Sequence, residues 1–298
     1  MRALRSDIQL GTVVAAYGKR YGVELKGIQG SEISCVTRGK KTDLACGDEV
    51  EIRLTDSNEG VVEKNLPRTS LLYRSNAYRS KFLAANVTQI VIVLATSPSF
   101  YEELLNRCLI AAEAANIQAL IVLNKCDITD NATAIARLAL YSGLGYKVQL
   151  LSATTDVSPL KPLLRGHTSV LVGQSGMGKS TIVNALLPES AIAIRTQEIS
   201  AVLDSGKHTT TAAHLYHIDE GTRLIDSPGL QEFGLNHLNI EALEHAFIEF
   251  RPYLGKCRFN NCKHLKEPDC AISNAVIEGK ISSQRQTYYQ DLLGEIGR

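Results

Sequence analysis

The chain has 298 residues, 32 Lys and Arg against 31 Asp and Glu, a formal net charge of +1, and 44% hydrophobic and 21% charged residues. That length points to two or three domains, that composition excludes wholesale disorder, and a near-neutral balance removes the simplest kind of nucleic-acid binder, a strongly basic whole chain. The longest apolar runs, such as Ile90 to Ala95 and Ala119 to Leu123, fall far short of the roughly 18 residues of a membrane span, and Asp7 with no apolar run beside it leaves no visible secretory signal.

The first 65 or so residues read as five short strands punctuated by glycine: Gly11 to Tyr17, Tyr21 to Lys26, Glu32 to Thr37, Glu49 to Leu54 and Gly60 to Val62. In the fourth, Val50, Ile52 and Leu54 alternate with Glu49, Glu51 and Arg53, the period of a half-buried strand. Five such strands suit a small barrel, either an OB-fold or an SH3-like barrel, and strand counting alone does not separate them. After Pro67 the pattern becomes α/β. Strands at Gln89 to Ala95, Ala119 to Leu123, Lys147 to Leu151, Ser169 to Val172 and Arg223 to Ile225 are interleaved with helices at Tyr101 to Asn116, Ala132 to Tyr141 and Lys179 to Leu187. That alternation implies a parallel sheet covered on both faces. From about Leu238 the chain is helical except for a cysteine cluster. The domains expected are therefore 1–66, a barrel; 67–236, an α/β nucleotide-binding unit; and 237–298, a helical unit.

Gly173-Gln174-Ser175-Gly176-Met177-Gly178-Lys179-Ser180 fits G-x-x-x-x-G-K-[ST] between a predicted strand and a predicted helix, with Thr181 next. The glycines allow consecutive N–H groups to wrap a β-phosphate, and the helix start adds the positive end of its dipole. Lys179 brings a charge to the β- and γ-phosphates, and the Ser180 hydroxyl is the expected Mg²⁺ ligand. Asn124-Lys125-Cys126-Asp127 ends a strand. The two Asp127 oxygens match the N1–H and amine of guanine, whereas adenine would leave the carboxylate unpaired. Ser152-Ala153 resembles the short loop whose N–H contacts the guanine oxygen. Asp226-Ser-Pro-Gly229 offers a carboxylate to the Mg²⁺ shell and a glycine N–H to the γ-phosphate. Gly206-Lys-His-Thr-Thr-Thr211 lies in a segment long enough to be a switch, in which Thr210, favoured over Thr209, completes the metal shell only when a γ-phosphate is present.

GTPases usually run phosphate loop, switch threonine, D-x-x-G, N-K-x-D, S-A. Here Asn124 and Ser152 precede Gly173, Thr210 and Asp226, a circular permutation that stays foldable because domain termini often lie close together. It places the second switch directly before the C-terminal unit. Leu230 stands where many GTPases carry a water-orienting Gln, so His208, or next Gln231, is the candidate for that role. Cys257, Cys262, His264 and Cys270 supply three thiolates and an imidazole, enough for a closed, structural Zn²⁺ site; buried thiols beside an exposed His are the alternative. The odd count of 7 cysteines without a secretory signal argues for a reducing cytoplasm, and metal over disulfide. Lys256, Arg258, Lys263 and Lys266 surround the cluster as a basic patch suited to phosphate contact.

Gly-Lys-His-Thr-Thr-Thr (206–211), Asp-Ser-Pro-Gly (226–229), Ala84-Ala85-Asn86-Val87, the permuted order and the cysteine spacing together resemble the small-ribosomal-subunit-dependent, circularly permuted GTPases, the RsgA or YjeQ family. The resemblance covers essentially the whole chain. It implies an OB-fold, a permuted GTPase domain and a zinc-binding helical domain. It also implies GTP hydrolysis stimulated by the small ribosomal subunit, contact with its rRNA, release on hydrolysis, and a cytoplasmic monomer cycling between GTP and GDP. Thr88 departs from an expected Asp, and Cys126 fills the free position of N-K-x-D. A small-molecule kinase does not explain Asn124 with Asp127 and Asp226 with Gly229. A vestigial site does not explain an intact Gly178, Lys179 and Ser180.

Overall fold

The computed structural model describes residues 8–39, 43–76, 79–128, 130–188, 213–226, 234–235 and 237–296. Strands β1 (Ile8–Tyr17), β2 (Arg20–Leu25), β3 (Glu32–Thr37), β4 (Glu49–Leu54) and β5 (Glu59–Asn65) close into a barrel in the order β1-β2-β3-β5-β4, with β4 returning to β1. β3 and β5 run parallel and the other pairs antiparallel. That closure is the OB arrangement, so topology decides what strand counting left open. Val50 and Ile52 are fully buried and join Val13, Tyr21, Val23, Ile33 and Cys35 in the barrel core. A bulge between Val13 and Ala15 in β1 bends it, so that its first half pairs with β4 and its far end reaches the neighbouring sheet.

β6 (Leu71–Asn76) and β7 (Arg79–Ala85) form a separate two-stranded sheet. The sequence reading does not foresee it, because Arg74, Ser75, Asn76, Arg79, Ser80 and Lys81 break any apolar alternation. The Ala84-Ala85-Asn86-Val87 stretch gains a structural role here. Asn86, at φ 54, accepts from the Thr69 N–H at 2.9 Å and donates its amide to the Gly47 carbonyl at 2.9 Å. The Ala85 N–H donates to the Cys46 carbonyl at 2.8 Å. Gly47, at φ 94, permits this approach, since a Cβ there would lie 2.1 Å from the Ala85 carbonyl oxygen.

The α/β unit comprises β8 (Gln89–Ala95), β9 (Gln118–Asn124), β10 (Lys147–Leu150), β11 (Thr168–Val172), β12 (His214–Asp219) and β13 (Thr222–Asp226), ordered β10-β9-β8-β11-β13-β12. Its helices are α1 (Glu102–Ala114), α2 (Ala132–Gly143), α3 (Lys161–Leu164) and α4 (Lys179–Leu186). β8 is buried along its whole length, as a continuous apolar run in a parallel sheet should be. Five strands are parallel as expected. β12 is not: it hairpins onto β13 through Glu220 and Gly221, whose φ of 86 suits a two-residue turn.

β12 also joins the barrel, pairing with β1 at His214 and Ala15. Beside this joint a cleft of about 310 Å³ is lined by Thr12, Glu24, Lys26, His217, Asp219 and Arg223. His217 Nε2 lies 2.8 Å from Glu24 Oε1, and the Gly30 N–H donates to Glu24 Oε2 at 2.8 Å. Burial works against charge on Glu24, but His217, Gly30 and Arg223 outweigh it and hold the carboxyl below its ordinary value of 4.5. A depressed carboxyl contributes stability above its unfolded value, and that contribution is lost as pH falls through the lower folded value. Urea midpoints of the wild type should therefore fall more steeply than those of Glu24→Gln between about pH 5 and pH 3. Parallel pH profiles would contradict this.

The C-terminal part contains α5 (Ile240–Ala246), a 3₁₀ segment (Ile248–Tyr253), α6 (Ala271–Ile277) and α7 (Ser283–Ile296). Asn239 caps α5 by accepting from the Ala242 N–H at 2.8 Å. α5 packs on α1, and Arg285 of α7 fixes the junction. Its guanidinium is fully buried, donates to both Glu249 oxygens at 2.5 and 3.2 Å and to Asn106 of α1, and lies 4.5 Å over the Phe247 ring. Every polar end is met, which a buried charge requires. Tyr289, Leu292 and Leu293 of α7 face inward, Tyr289 against Phe247 and Phe250.

Candidate nucleotide site and metal centre

The motif-bearing segments converge at the carboxyl ends of adjacent strands, where open α/β sheets place ligand loops. β9 ends in Asn124, β10 leads into Ser152, β11 into Gly173, and β13 ends at Asp226. Asn124 is the joint between them. It is 1% exposed; its amide donates to the Met177 carbonyl of the phosphate loop at 3.0 Å, and its oxygen accepts from the Ala153 N–H at 3.0 Å. Gly178, at φ 91, sits against it as the residue that opens α4. At Gly173 a Cβ would fall 2.3 Å from the Val93 carbonyl, so the loop lies against the backbone of β8.

Lys179 folds back over this loop, donating to the Gly173 and Gln174 carbonyls at 2.5 and 2.8 Å. Burial pushes its ammonium below the usual lysine value, and the Asp226 carboxylate pulls the other way. The lysine is thus preset over the loop, its ammonium held by the Gly173 and Gln174 carbonyls within reach of whatever the loop binds. Ser180 and Thr181 occupy the first turn of α4, both exposed. Asp127 is exposed and accepts from the Ser152 hydroxyl. That bond, its own backbone N–H and Thr154 hold its carboxyl below the ordinary range, so it is an acceptor at neutral pH. Lys125, at φ 63, donates to the Ser97 carbonyl at 2.8 Å. Expected roles for His208, Thr210, Gly229 and Gln231 lie outside the described residues.

Sequence reasoning missed the loop after β8. The Gln174 side chain accepts from the Tyr101 N–H at 3.0 Å, so residues 97–101 wall the phosphate loop. Only the Ser97-Pro98 turn signal marks that loop in the sequence.

Cys257, Cys262, His264 and Cys270 gather with all ligand atoms within 4.8 Å of one another. Cys257 Sγ is 3.9 Å from Cys270 Sγ, and His264 Nδ1 is 3.5 and 3.3 Å from those two sulfurs. A tetrahedral ion with usual bond lengths requires about 3.8 Å between sulfurs and about 3.5 Å from sulfur to nitrogen. The cluster therefore fits one metal ion and could hold zinc. His264 Nε2 points at Glu244 3.5 Å away, the outer partner that fixes which ring nitrogen faces a metal. Of the surrounding basic residues, Arg258 is tied to Asp269 at 3.0 Å, while Lys256, Lys263 and Lys266 are exposed.

An OB barrel, a phosphate loop and a base-reading loop in reversed order, and a Cys₃His helical unit define a circularly permuted P-loop GTPase with a metal-binding appendage. The RsgA GTPase family model matches residues 65–236. The small ribosomal subunit biogenesis GTPase RsgA of Nitrosospira multiformis is 53% identical over 287 residues, covering 96% of this chain and 90% of that one. Its counterpart from Nitrosomonas europaea is 51% identical, covering 95% and 90%. Among solved structures, YjeQ from Thermotoga maritima is 30% identical with a TM-score of 0.76, covering 98% of this chain and 100% of that one. YloQ, described as a circularly permuted GTPase, is 27% identical with a TM-score of 0.72, covering 100% and 98%. The chain belongs to the RsgA GTPase family and is a GTP hydrolase. No helix among its described residues is long and apolar enough to cross a membrane.

Proposed function

We propose that this protein is a GTPase of small-ribosomal-subunit biogenesis, binding the pre-subunit and its rRNA as a cytoplasmic monomer in the GTP state and leaving on hydrolysis. One observation carries the nucleotide part: Asn124 bonds at once to the phosphate loop and to the Ser152–Ala153 loop, so segments in reversed chain order form one site. Asp127 reads guanine, with the Ala153 segment beside it. Gly173 to Ser180 cradle the phosphates, and Lys179 moves from the loop carbonyls to the β- and γ-phosphates. Ser180, Thr210 and Asp226 would hold Mg²⁺, which supplies positive charge against the phosphoryl oxygens. Gly229 meets the γ-phosphate, and His208 orients the attacking water in place of the Gln that Leu230 replaces. Zinc is the metal that suits the Cys257, Cys262, His264 and Cys270 set. The domains run 1–66, 67–236 and 237–298, and the exposed Lys256, Lys263 and Lys266 meet rRNA phosphates.

The test is sedimentation with purified small subunits. Retention with a non-hydrolysable GTP analogue and loss with GDP is expected, together with GTP turnover that rises on adding subunits. His208→Ala should keep the retention and lose the added turnover. Equal sedimentation in both nucleotides would refute the coupling.

A further inference from the structure

The loop from Ser97 to Tyr101 carries none of the nucleotide motifs, yet it meets the phosphate loop at two points and Lys125 of the N-K-x-D segment at a third. The Tyr101 N–H reaches Gln174 Oε1, Lys125 Nζ reaches the Ser97 carbonyl, and Pro98 lies 3.5 Å from where a Cβ on Gly176 would sit. This loop is gripped in turn by Arg137 of α2. Its Nη2 donates to the Phe100 carbonyl at 3.1 Å, its Nη1 to the Ser99 hydroxyl at 3.4 Å, and its guanidinium lies 4.0 Å over the Phe100 ring. The remaining Nε donates to Glu102 Oε1 at 2.7 Å. The second Glu102 oxygen accepts from Gln284 Nε2 and, at 3.2 Å, from the Tyr288 hydroxyl, both on α7.

We propose that Glu102 is a positioning residue for nucleotide binding. Its carboxylate, seated from one side by Gln284 and Tyr288, aims Arg137 so that the 97–101 loop is held against the phosphate loop. A guanidinium with fixed fork geometry transmits this well, because each of its three nitrogens donates in a fixed direction, to Glu102, Ser99 and Phe100. The C-terminal helix thereby adds to nucleotide affinity without touching nucleotide. By linkage, bound nucleotide tightens the seat of α7. The route is separate from the covalent one through the segment after Asp226, and it rests on the reading of residues 173–180 as the nucleotide loop.

Titration of the full chain with GDP tests it, using wild type, Glu102→Gln and the pair Gln284→Ala with Tyr288→Phe. Both variants should bind GDP about 5-fold or more weakly. Amide exchange should quicken at 97–101 and 174–178, and GDP should no longer slow exchange in α7. The paired variant alters only side chains at the outer end of the relay, so it keeps the fold if Glu102→Gln does not. Equal GDP affinity and exchange in all three, or a lowered melting temperature with unchanged GDP affinity, would overturn the proposal. A wild type that fails to bind GDP would overturn the site reading itself, and the inference with it.

Discussion

Gly178→Ala should weaken GDP and GTP binding by about 100-fold, the equivalent of about 3 kcal/mol. At φ 91 an alanine is held in a left-handed conformation that costs about 1–2 kcal/mol. Its methyl would also sit 2.3 Å from Asn124 Nδ2. Asn124 has no free direction in which to withdraw, being buried and bonded to both Met177 and Ala153. Displacing it breaks two buried hydrogen bonds worth about 1 kcal/mol each and separates the base-reading loop from the phosphate loop. Gly176→Ala separates strain from clash: its φ of 81 is equally left-handed, but its Cβ would meet only Pro98 at 3.5 Å. That variant should lose only about tenfold, the strain alone. Titration of both variants with fluorescent GDP measures the difference. Equal losses would mean that Asn124 is not the joint.

Removing one metal ligand should have a comparably large effect on a different part of the molecule. Between Tyr253 and Ala271 there is no helix or strand. Phe259 and Leu265 in that stretch are each 42% exposed, so apolar burial contributes little to its order. Its ties include the Cys₃His cluster, the Glu267 carboxylate, which accepts from the N–H groups of Lys263, Leu265 and Lys266 at 2.9, 2.8 and 3.1 Å, and two bonds from Tyr289 and Gln290 of α7 to the Lys263 and His264 carbonyls at 3.2 and 3.4 Å. Structural zinc in small domains contributes about 10 kcal/mol or more, which matches the whole stability of an ordinary domain. Cys270→Ser, or chelation of the wild type, should therefore abolish bound zinc and expose 254–277 to rapid amide exchange and to cleavage after Arg258 or Lys263. Barrel exchange should be unchanged. Unaltered protection in a protein that retains no zinc would show that packing alone holds this segment.

Much of the architecture is legible in the sequence because its signals are local. Val50 and Ile52 alternate, β8 is one apolar run, and Gly178-Lys179-Ser180 sits between a strand and a helix. The cysteine spacing suffices to assemble a ligand set that the fold then closes to tetrahedral distances. What stays hidden depends on partners far apart in the chain. The sequences of β6 and β7 run through consecutive polar residues, so no period betrays them. The choice of OB over SH3-like closure rests on the parallel pairing of β3 with β5, which no single strand encodes. Arg285 reads as one more surface charge until Glu249 and Asn106 meet it. In the site, Asn124 is recognisable from N-K-x-D, but its bonds to Met177 and Ala153 require the ends of β10, β9 and β11 to meet along one edge of the sheet, across the intervening β8. Arg137 and Glu102 bear no motif at all and matter only through what they touch.

The permutation has a mechanical consequence that the geometry makes concrete. β13 ends at Asp226 and α5, the helix that packs on α1, begins at Ile240, so the D-x-P-G stretch of the sequence leads directly into the C-terminal unit. The same α1 begins at Glu102 beside the 97–101 loop. Under the proposed nucleotide site, a change at the phosphates would have two routes to the C-terminal unit, the segment after Asp226 and the 97–101 loop at the start of α1.

Guanine selectivity is the most direct test of the account, because it requires Asp127 and the phosphate loop to act on one ligand. Calorimetric titration of the wild type should give tight, one-to-one binding of GDP and GTP and none of ATP. Asp127→Asn should lose guanine nucleotides and gain their xanthine analogues, whose N1–H still donates to the side-chain oxygen while O2 accepts from the new amide. Equal uptake of ATP and GTP, or an unchanged guanine preference in Asp127→Asn, would contradict it.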